Sequence, residues 1–337
     1  MRLALCAAGV VPAGCTSGLA LRDIGSMHVG GEPVTLSGLP VREIVFTAGA
    51  APFRSDPNGD FETGQTYVHY ARLASPRAPY PMLMIHGGGL SGVTWETKPD
   101  GNPGWQMYFL RAGYDVYVAD AVERGRASWS RYPEIYTSEP VFRSKQEAWE
   151  LFRIGPPGSY QTDPKRRVAH RGTQFPVEAF DQFAKQGVPR WATNDAATQA
   201  AYSALVQKIC PCVIVVHSQG GNFAFNAALA APEKVKAIVA IEPSGAPNPN
   251  RVDVGKLKQT PHLFVWGDYL DQPELWKKIF PAVELYRAGL VAAGVTADLV
   301  ELPKRGMHGN SHMMMMDRNS DQVAEDIQRW LQRYVSR

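Results

Sequence analysis

Long apolar runs and blocks of like charge are both missing from this chain of 337 residues. No apolar stretch reaches the roughly 18 residues that a membrane-spanning helix needs, which argues against a transmembrane segment. The formal net charge is only +3, and the basic residues are scattered apart from the run at residues 165–167, so a nucleic-acid-binding surface is not predicted. The chain has no internal repeat, and its 45% apolar and 20% charged residues are typical of a globular protein.

Cysteine is scarce, and the four cysteines favour neither a disulfide framework nor a metal site. Cys6 and Cys15 fall in an N-terminal segment that could be removed, which leaves Cys210 and Cys212. Two cysteines separated by one residue seldom form an unstrained bridge, and they do not bind a metal without further ligands. We therefore expect both to be buried small residues at the entrance of a strand. The sequence predicts no metal and no cofactor.

Residues 1–18 are typical of a signal segment. Arg2 precedes a short apolar run, residues 3–11, and small residues follow it. Export with cleavage predicts a periplasmic or secreted protein, whereas a retained N-terminus predicts a cytoplasmic one. Residues 19–337 would then form the folded domain.

The most informative motif is a serine at the end of an apolar strand. Residues 213–216 are β-branched, and the chain breaks at Ser218 before a helix-like run, residues 222–231. A strand that turns sharply into a helix through one serine is typical of a nucleophile elbow, where the next backbone N–H faces a developing oxyanion. Val216 replaces the first glycine of the usual Gly-x-Ser-x-Gly pattern, whereas Gly220 is present. An ordinary serine helix cap is the alternative.

A glycine-rich loop, residues 86–92, follows a second apolar strand, residues 81–85. Its three consecutive glycines let the backbone approach a substrate closely and present unobstructed N–H groups. In enzymes with a nucleophile elbow, this loop often reads His-Gly-Gly-Gly and supplies half of the oxyanion hole, while the residue after the serine, here Gln219, supplies the other half. A plain connecting turn is the alternative. A phosphate-binding loop is disfavoured because its spacing and terminal Lys-Ser/Thr are missing.

The order of the predicted elements indicates an α/β fold with a mostly parallel, doubly wound sheet. The predicted strands are residues 41–47, 66–74, 81–85, 115–121, 213–216, 235–241, 262–266 and 297–302. The predicted helices are residues 104–112, 194–209, 222–231, 273–293 and 320–335. Residues 123–193 are irregular and rich in aromatic residues, proline and arginine, which predicts an inserted cap that lines the active site with apolar walls. A structural or oligomerisation element, and with it a homodimer, is the alternative.

A nucleophilic serine needs a base and an orienting acid, and in this fold both follow it in the chain. His308 and His312 both lie between the last strand and the C-terminal helix, and their spacing does not separate them. The residues alone do not decide which carboxylate is the acid either. Glu242 ends the strand after the serine, whereas Asp268 and Asp271 follow the next strand. The chemistry requires only a carboxylate at a strand end within reach of the imidazole.

Five segments together resemble a small group of bacterial carboxylesterases within the α/β-hydrolase superfamily. They are residues 86–97, 104–119, 217–222, 241–243 and 309–317. This group places its acid as a glutamate after the sixth strand and its histidine in a Gly-Asn-x-His-Met-Met segment. The resemblance covers the chain from about residue 25 to the C-terminus and implies the α/β-hydrolase fold, with Ser218 as nucleophile, Glu242 as acid and His312 as base. It also implies oxyanion-hole donors at Gly88 and Gln219.

The expected function is therefore that of a serine carboxylesterase, which hydrolyses a small-molecule carboxylic ester through an acyl-enzyme. Acyl transfer by the same residues and a non-catalytic, ligand-binding protein of this fold are the alternatives. Dehalogenase and epoxide hydrolase chemistry is disfavoured, because both need a carboxylate nucleophile where Ser218 stands.

Overall fold

The computed structural model describes residues 18–335, which build one large sheet with helices on both faces. Its strands are β1 (Leu21–Leu36), β2 (Arg42–Ile44), β3 (Phe53–Ser55), β4 (Gly59–Leu73), β5 (Met82–Ile85), β6 (Val116–Asp120), β7 (Cys212–His217), β8 (Val235–Ile241), β9 (His262–Trp266) and β10 (Ala297–Glu301). Its α-helices are α1 (Val93–Glu96), α2 (Trp105–Ala112), α3 (Lys145–Leu151), α4 (Phe180–Ala184), α5 (Asp195–Ile209), α6 (Gly220–Ala230), α7 (Glu274–Ala292) and α8 (Ser320–Tyr334).

The large sheet has the strand order β1-β4-β6-β5-β7-β8-β9-β10. The pairs β1–β4 and β4–β6 are antiparallel. All pairs from β6 to β10 along this order are parallel. Parallel strands covered on both faces are continuous apolar runs, and all six residues of β7 are buried. The predicted doubly wound α/β sheet is confirmed.

The core consists of two apolar layers, one on each face of the sheet. Side chains of β7 alternate between them: Val213 and Val215 join the first layer, and Ile214 and Val216 join the second. Helices α2 and α8 cover the first layer, and α5, α6 and α7 cover the second. Each fully buried aliphatic side chain of this kind contributes about 1.5–3 kcal/mol relative to an exposed one.

Parallel pairing brings the carboxyl ends of the central strands to the same edge of the sheet. Ile85 pairs with Val216, and Ile241 pairs with both His217 and Val265. The residues that directly follow β5, β7, β8 and β9 therefore emerge side by side. The predicted functional segments begin at these positions.

The first strand, β1, is not predicted from the sequence, and the predicted strand at residues 41–47 shrinks to the three residues of β2. β1 lies at the edge of the sheet and pairs with β4 alone. Val29 is its one buried residue, so this strand lacks the apolar alternation that indicates a half-buried strand. β1 is held in the sheet by its antiparallel backbone pairing with β4 and not by burial of its side chains.

Residues 123–193 separate β6 from α5 and contain only the short helices α3 and α4 among 3₁₀ turns and irregular chain. Buried aromatic side chains pack against one another within this insertion, with ring centroids 4.9 Å apart for Trp149 and Phe180 and 5.3 Å apart for Phe175 and Phe183. They also join the first core layer. Aromatic packing therefore holds a segment with little regular backbone bonding.

The expectation for Cys210 and Cys212 is wrong in one respect. Both are buried, as expected, but they form a disulfide bond. The tight connection at Pro211, between α5 and β7, brings their Cα atoms to 4.4 Å, which is at the short end of the range that a disulfide spans.

The predicted signal segment, residues 1–18, lies outside the described residues except for Gly18. The first described element, β1, begins at Leu21. Across residues 18–335, no helix combines the length and the apolar composition needed to cross a membrane.

Candidate active site

Ser218 occupies a sharp turn between β7 and α6. Its φ of 52° lies in the left-handed region, which residues other than glycine seldom adopt. Two backbone bonds hold the turn: Ser218 N–H donates to Ile241 O at 3.0 Å, and Gly221 N–H donates to Ser218 O at 3.0 Å. A side chain at Gly220 would not fit, because a Cβ atom there would lie 2.7 Å from His86 O. The turn leaves the Ser218 side chain half-buried at the carboxyl edge of the sheet.

Ser218 and His312 line the same cavity, which has a volume of about 230 Å³. No hydrogen bond joins the two side chains, and the described residues supply no partner for Ser218 Oγ or His312 Nε2. Both groups are therefore available to a molecule that enters the cavity.

Glu242 lies behind His312 and is fully buried. Its Oε2 lies 2.5 Å from His312 Nδ1, and its Oε1 accepts hydrogen bonds from Gly267 N–H at 2.7 Å and from the Arg153 guanidinium. With Nδ1–H donating to the carboxylate, Nε2 is the imidazole nitrogen that can accept a proton, an assignment that follows from the hydrogen-bond network. The structure thus brings Glu242 and His312 together.

The other three candidates from the sequence lie elsewhere. The Asp268 carboxylate accepts a hydrogen bond from Gly309 N–H and so shapes the loop before His312. Asp271 and His308 are exposed. None of the three lines the cavity that contains Ser218.

The loop that carries His312 is held by Asp317 and His217. Ser311 donates from N–H and Oγ–H to the Asp317 carboxylate at 2.8 and 2.7 Å, and Asn310 Nδ2 donates to it at 3.0 Å. His217 Nε2 lies 3.0 Å from His312 O, and the two imidazole rings are 4.4 Å apart. These contacts fix where the His312 ring lies relative to the sheet edge.

The backbone N–H groups of Gly88 and Gln219, beside Ser218, have no hydrogen-bond partner among the described residues. Both residues line the cavity. A Cβ atom at position 88 would lie 2.6 Å from Arg190 Nη1 and 2.8 Å from Gln219 Oε1, so these two flexible side chains close around the glycine and would have to move for a larger residue. Two unpaired donors at the wall of a cavity form a site that favours an oxygen atom carrying negative charge.

His86 anchors the glycine-rich loop, a role that the sequence did not reveal. Its Nδ1 lies 2.7 Å from Gly87 O, and its Nε2 accepts a hydrogen bond from Ala121 N–H at 3.0 Å. Burial lowers the pKa of His86 to about 4, so the ring is neutral and can donate through one nitrogen while accepting through the other. The loop is thereby joined to the chain that follows β6.

Arg153, in the insertion, is the other residue that sequence reasoning missed. Its fully buried guanidinium pairs with Glu242, donates from Nε to Asp268 O at 2.7 Å and lies 4.8 Å from the ring centroid of Trp276. One arginine among many in an irregular segment carries no local signal of such a contact. The insertion therefore contributes directly to the arrangement of Glu242.

Burial is the main influence on the pKa of His312 and lowers it well below its usual value. The guanidinium groups of Arg153 and Arg143 lower this pKa further. The adjacent Glu242 acts in the opposite direction, but desolvation of a fully buried ring dominates. The imidazole is therefore neutral near pH 7 and can act as a proton acceptor.

Comparison with known proteins gives consistent results. A family model described as the alpha/beta hydrolase fold matches residues 208–291, which include Ser218 and Glu242. The chain is similar to the solved structure of a novel bacterial esterase, with 36% identity, a TM-score of 0.81, and coverage of 97% of this chain and 100% of the other. It is also similar to the probable secreted lipase phiG of Fungal sp. (strain ATCC 74256), with 29% identity over an alignment 329 residues long and coverage of 82% of this chain and 88% of that protein.

Proposed function

Since this chain is an esterase-like member of the α/β-hydrolase superfamily, we propose that it is a serine carboxylesterase that hydrolyses a small-molecule ester through an acyl-enzyme. One observation carries the proposal: His312 Nδ1 lies 2.5 Å from Glu242 Oε2, and the same imidazole lines the cavity that contains Ser218. A carboxylate-held imidazole beside a serine hydroxyl is the arrangement that activates serine for attack on a carbonyl.

In the first step, Ser218 Oγ attacks the carbonyl carbon of the ester while His312 Nε2 takes the hydroxyl proton. Glu242 accepts the Nδ1–H bond, which fixes the tautomer and stabilises the imidazolium that forms. The step requires Oγ to approach Nε2. Catalytic hydrogen bonds are often long before substrate binds and shorten in the complex, which agrees with the separation of the two groups here.

Negative charge then collects on the former carbonyl oxygen. The N–H groups of Gly88 and Gln219, which have no partner among the described residues, are the donors for this oxyanion. Each such donor stabilises the transition state by about 3 kcal/mol. The tetrahedral intermediate collapses when the imidazolium of His312 protonates the leaving alcohol, which leaves the acyl group on Ser218.

Water completes the cycle by the same steps in reverse. His312 takes a proton from water, the hydroxide attacks the acyl carbonyl, and the carboxylic acid leaves as the proton returns to Ser218 Oγ. No cofactor or metal takes part in these steps.

A chain-length series of p-nitrophenyl esters, assayed on the purified protein, tests this function. We expect saturable turnover with one carboxylic acid formed per p-nitrophenol released. Product analysis with added ethanol distinguishes acyl transfer, which would yield the ethyl ester as the main product. A protein that cleaves no member of the series, from acetate to laurate, and no ester that carries a free carboxylate would not be a carboxylesterase.

Glu242→Gln is expected to lower kcat/KM for p-nitrophenyl butyrate by roughly 10⁴-fold, because an amide holds the imidazole in the wrong tautomer. Asp271→Asn is the matched control, since it makes the same chemical change at an exposed carboxylate outside the cavity. Asp268→Asn should cost far less than Glu242→Gln, because its carboxylate contacts a loop amide and not the imidazole. Steady-state kinetics of the three variants checks this order. A larger loss of kcat/KM in Asp268→Asn or Asp271→Asn than in Glu242→Gln would place the acid in the loop that follows β9.

Arg153→Gln is expected to shift the acid limb of the kcat/KM–pH profile to higher pH. The activity requires neutral His312, and removing a cation that lowers its pKa raises that pKa, so protonation inactivates the enzyme at a higher pH. Breaking the buried pair with Glu242 should also lower the free energy of unfolding by about 3–5 kcal/mol. Arg153→Lys keeps the charge, so the acid limb of its profile should lie between that of the wild type and that of Arg153→Gln. A lower melting temperature with an unchanged limb would make Arg153 a purely structural residue.

Export of the protein to the periplasm or the medium is part of the proposal. The segment at residues 1–18 has the composition of a signal, and the related phiG protein is named a probable secreted lipase. The disulfide between Cys210 and Cys212 supports the same conclusion, because disulfides persist mainly in oxidising compartments.

A further inference from the structure

The cavity that contains Ser218 carries positive charge that no lining residue balances. Two of the described residues that line it, Arg143 and Arg190, have guanidinium groups, and none has a carboxylate. A buried or half-buried cation is costly without an opposite charge, so an arginine that faces a binding cavity favours an anionic ligand.

Arg143 is already engaged on one side. It pairs with Glu147 at 3.0 Å, and that glutamate is 51% exposed and lies outside the cavity lining. Arg143 also donates from Nη1 to Gly88 O at 3.2 Å and lies over the Phe152 ring. These contacts place its guanidinium beside the glycine-rich loop.

Arg190 has no such engagement. Within residues 18–335, no carboxylate lies within ion-pair distance of its guanidinium, and the side chain makes no hydrogen bond. Its Nη1 lies 2.6 Å from the point that a Cβ atom on Gly88 would occupy. A ligand group bound to Arg190 would therefore lie close to the ester carbonyl that the Gly88 amide receives.

The guanidinium of Arg124, which interacts with Arg190, adds to the positive potential. Arg124 is 3% exposed, and its Nε and Nη1 atoms have no partner among the described residues. Burial lowers the pKa of Arg124 to about 10, with Arg190 as the next cause. Arg124 thus adds positive charge next to Arg190, and the buried carboxylate of Glu123 together with the exposed Asp195 offsets part of it.

Most of the remaining wall of the cavity is apolar, beside the polar side chains of Gln219 and Ser244. Leu151, Leu275, Trp276 and Ile279 line it, and none of these side chains except the indole carries a polar group. The Trp276 indole N–H donates to Leu151 O. A ligand that fits the cavity therefore combines an apolar part with an anionic group.

We propose that Arg190, assisted by Arg143, binds a carboxylate carried by the substrate, so that the preferred substrates are esters with a free carboxylate close to the scissile bond. This inference rests on the proposed esterase function and names the substrate class for it. The carboxylate can belong to the acyl part, as in a monoester of a dicarboxylic acid, or to the alcohol part, as in an acylated hydroxy acid.

Arg190 could instead assist only the oxyanion, and matched ester pairs separate the two roles. An arginine that stabilises the oxyanion accelerates charged and neutral esters by the same factor, whereas a carboxylate-binding arginine accelerates only the charged member of a pair. For the acyl side, the pair is 4-nitrophenyl hydrogen adipate and 4-nitrophenyl adipamate. For the alcohol side, it is 4-(butanoyloxy)benzoate and 4-(butanoyloxy)benzamide.

The wild-type protein is expected to show a kcat/KM for one of the carboxylates that exceeds that of its amide by roughly ten- to hundredfold, the range for one charge-assisted hydrogen bond. Arg190→Gln should bring this ratio close to one, and Arg190→Lys should keep part of it. Arg329→Gln is the control, because it removes the same charge from an exposed position on α8 and should leave the ratio unchanged.

Equal rates within both pairs for the wild type, or an Arg190→Gln variant that slows both members equally, would overturn the proposal. Turnover of the neutral amides with no preference refutes the carboxylate site while the esterase function stands. Absence of turnover for all four esters and for p-nitrophenyl butyrate refutes the esterase function itself. Calorimetric binding of adipate needs no turnover: the wild type should bind it and Arg190→Gln should not, and equal binding would contradict the proposed site.

Discussion

Ser218→Ala is expected to reduce p-nitrophenyl ester turnover by roughly 10⁶-fold, the loss that follows removal of the nucleophile in a serine hydrolase with a triad. The fold should survive, because Ser218 Oγ has no hydrogen-bond partner among the described residues and alanine keeps the Cβ atom in the turn. Steady-state kinetics and a thermal melt, measured on the same preparation, check both statements.

Ser244→Ala is the matched control for this result. Ser244 lines the same cavity and lies next to the turn, where its N–H donates to Ser218 O, but its hydroxyl has no part in the proposed steps. We expect at most a few-fold change for this variant, because the Ser244 hydroxyl makes no hydrogen bond among the described residues and alanine keeps the backbone bond to Ser218 O. Retained turnover in Ser218→Ala would end the proposal that this serine is the nucleophile.

His312→Ala should be as damaging as Ser218→Ala, because the serine hydroxyl is a weak nucleophile without a base to take its proton. The ring also fills space between His217, Phe152 and Trp276, so the variant should melt at a lower temperature. His308→Ala is the matched control. His308 lies four residues before His312 in the same loop, and its exposed ring lies outside the cavity.

Turnover by His308→Ala should stay within a few-fold of the wild type. A His308→Ala variant without activity, beside an active His312→Ala variant, would reverse the assignment of the base. Exogenous imidazole offers a further readout, because it can enter the space left by His312 and should restore part of the activity only in that variant.

The sheet and the serine turn could be predicted because their signals are local. Residues 235–241 and 262–266 are apolar runs that coincide with β8 and β9, and the break in the apolar run at Ser218 marks the start of the helix α6. Such patterns arise because consecutive buried residues are apolar, and a run of apolar residues is visible in the sequence. The edge strand β1 lacks this signal, because it is fixed by pairing with β4 instead of by burial.

The choice among acids and bases could not be made from spacing. Glu242, Asp268 and Asp271 all follow strands that end at the same edge, and only the three-dimensional path of the chain separates them. Glu242 has a φ of 43°, and this left-handed backbone is not visible in the sequence. The resemblance to carboxylesterases pointed to Glu242 and His312; the contact between them agrees with that assignment, and their catalytic roles stay predictions.

The arginines around the cavity lie furthest from what a sequence can reveal. Arg153 contacts Glu242 from 89 positions away, and Arg190 lies near Gly88 from a different part of the insertion. Residues 123–193 hold these side chains through aromatic packing and little regular secondary structure. No helical or strand periodicity of apolar residues therefore predicts where the arginines lie. The disulfide between Cys210 and Cys212 depends in the same way on one tight connection of the chain.

Mass spectrometry after incubation with a fluorophosphonate tests the central claim most directly, because this reagent reacts with a serine only where a base and an oxyanion site activate it. We predict one adduct per chain, located on the peptide that contains Ser218, and no adduct on the Ser218→Ala variant. An unlabelled protein that nevertheless cleaves esters, or an adduct on a different residue, would contradict the account.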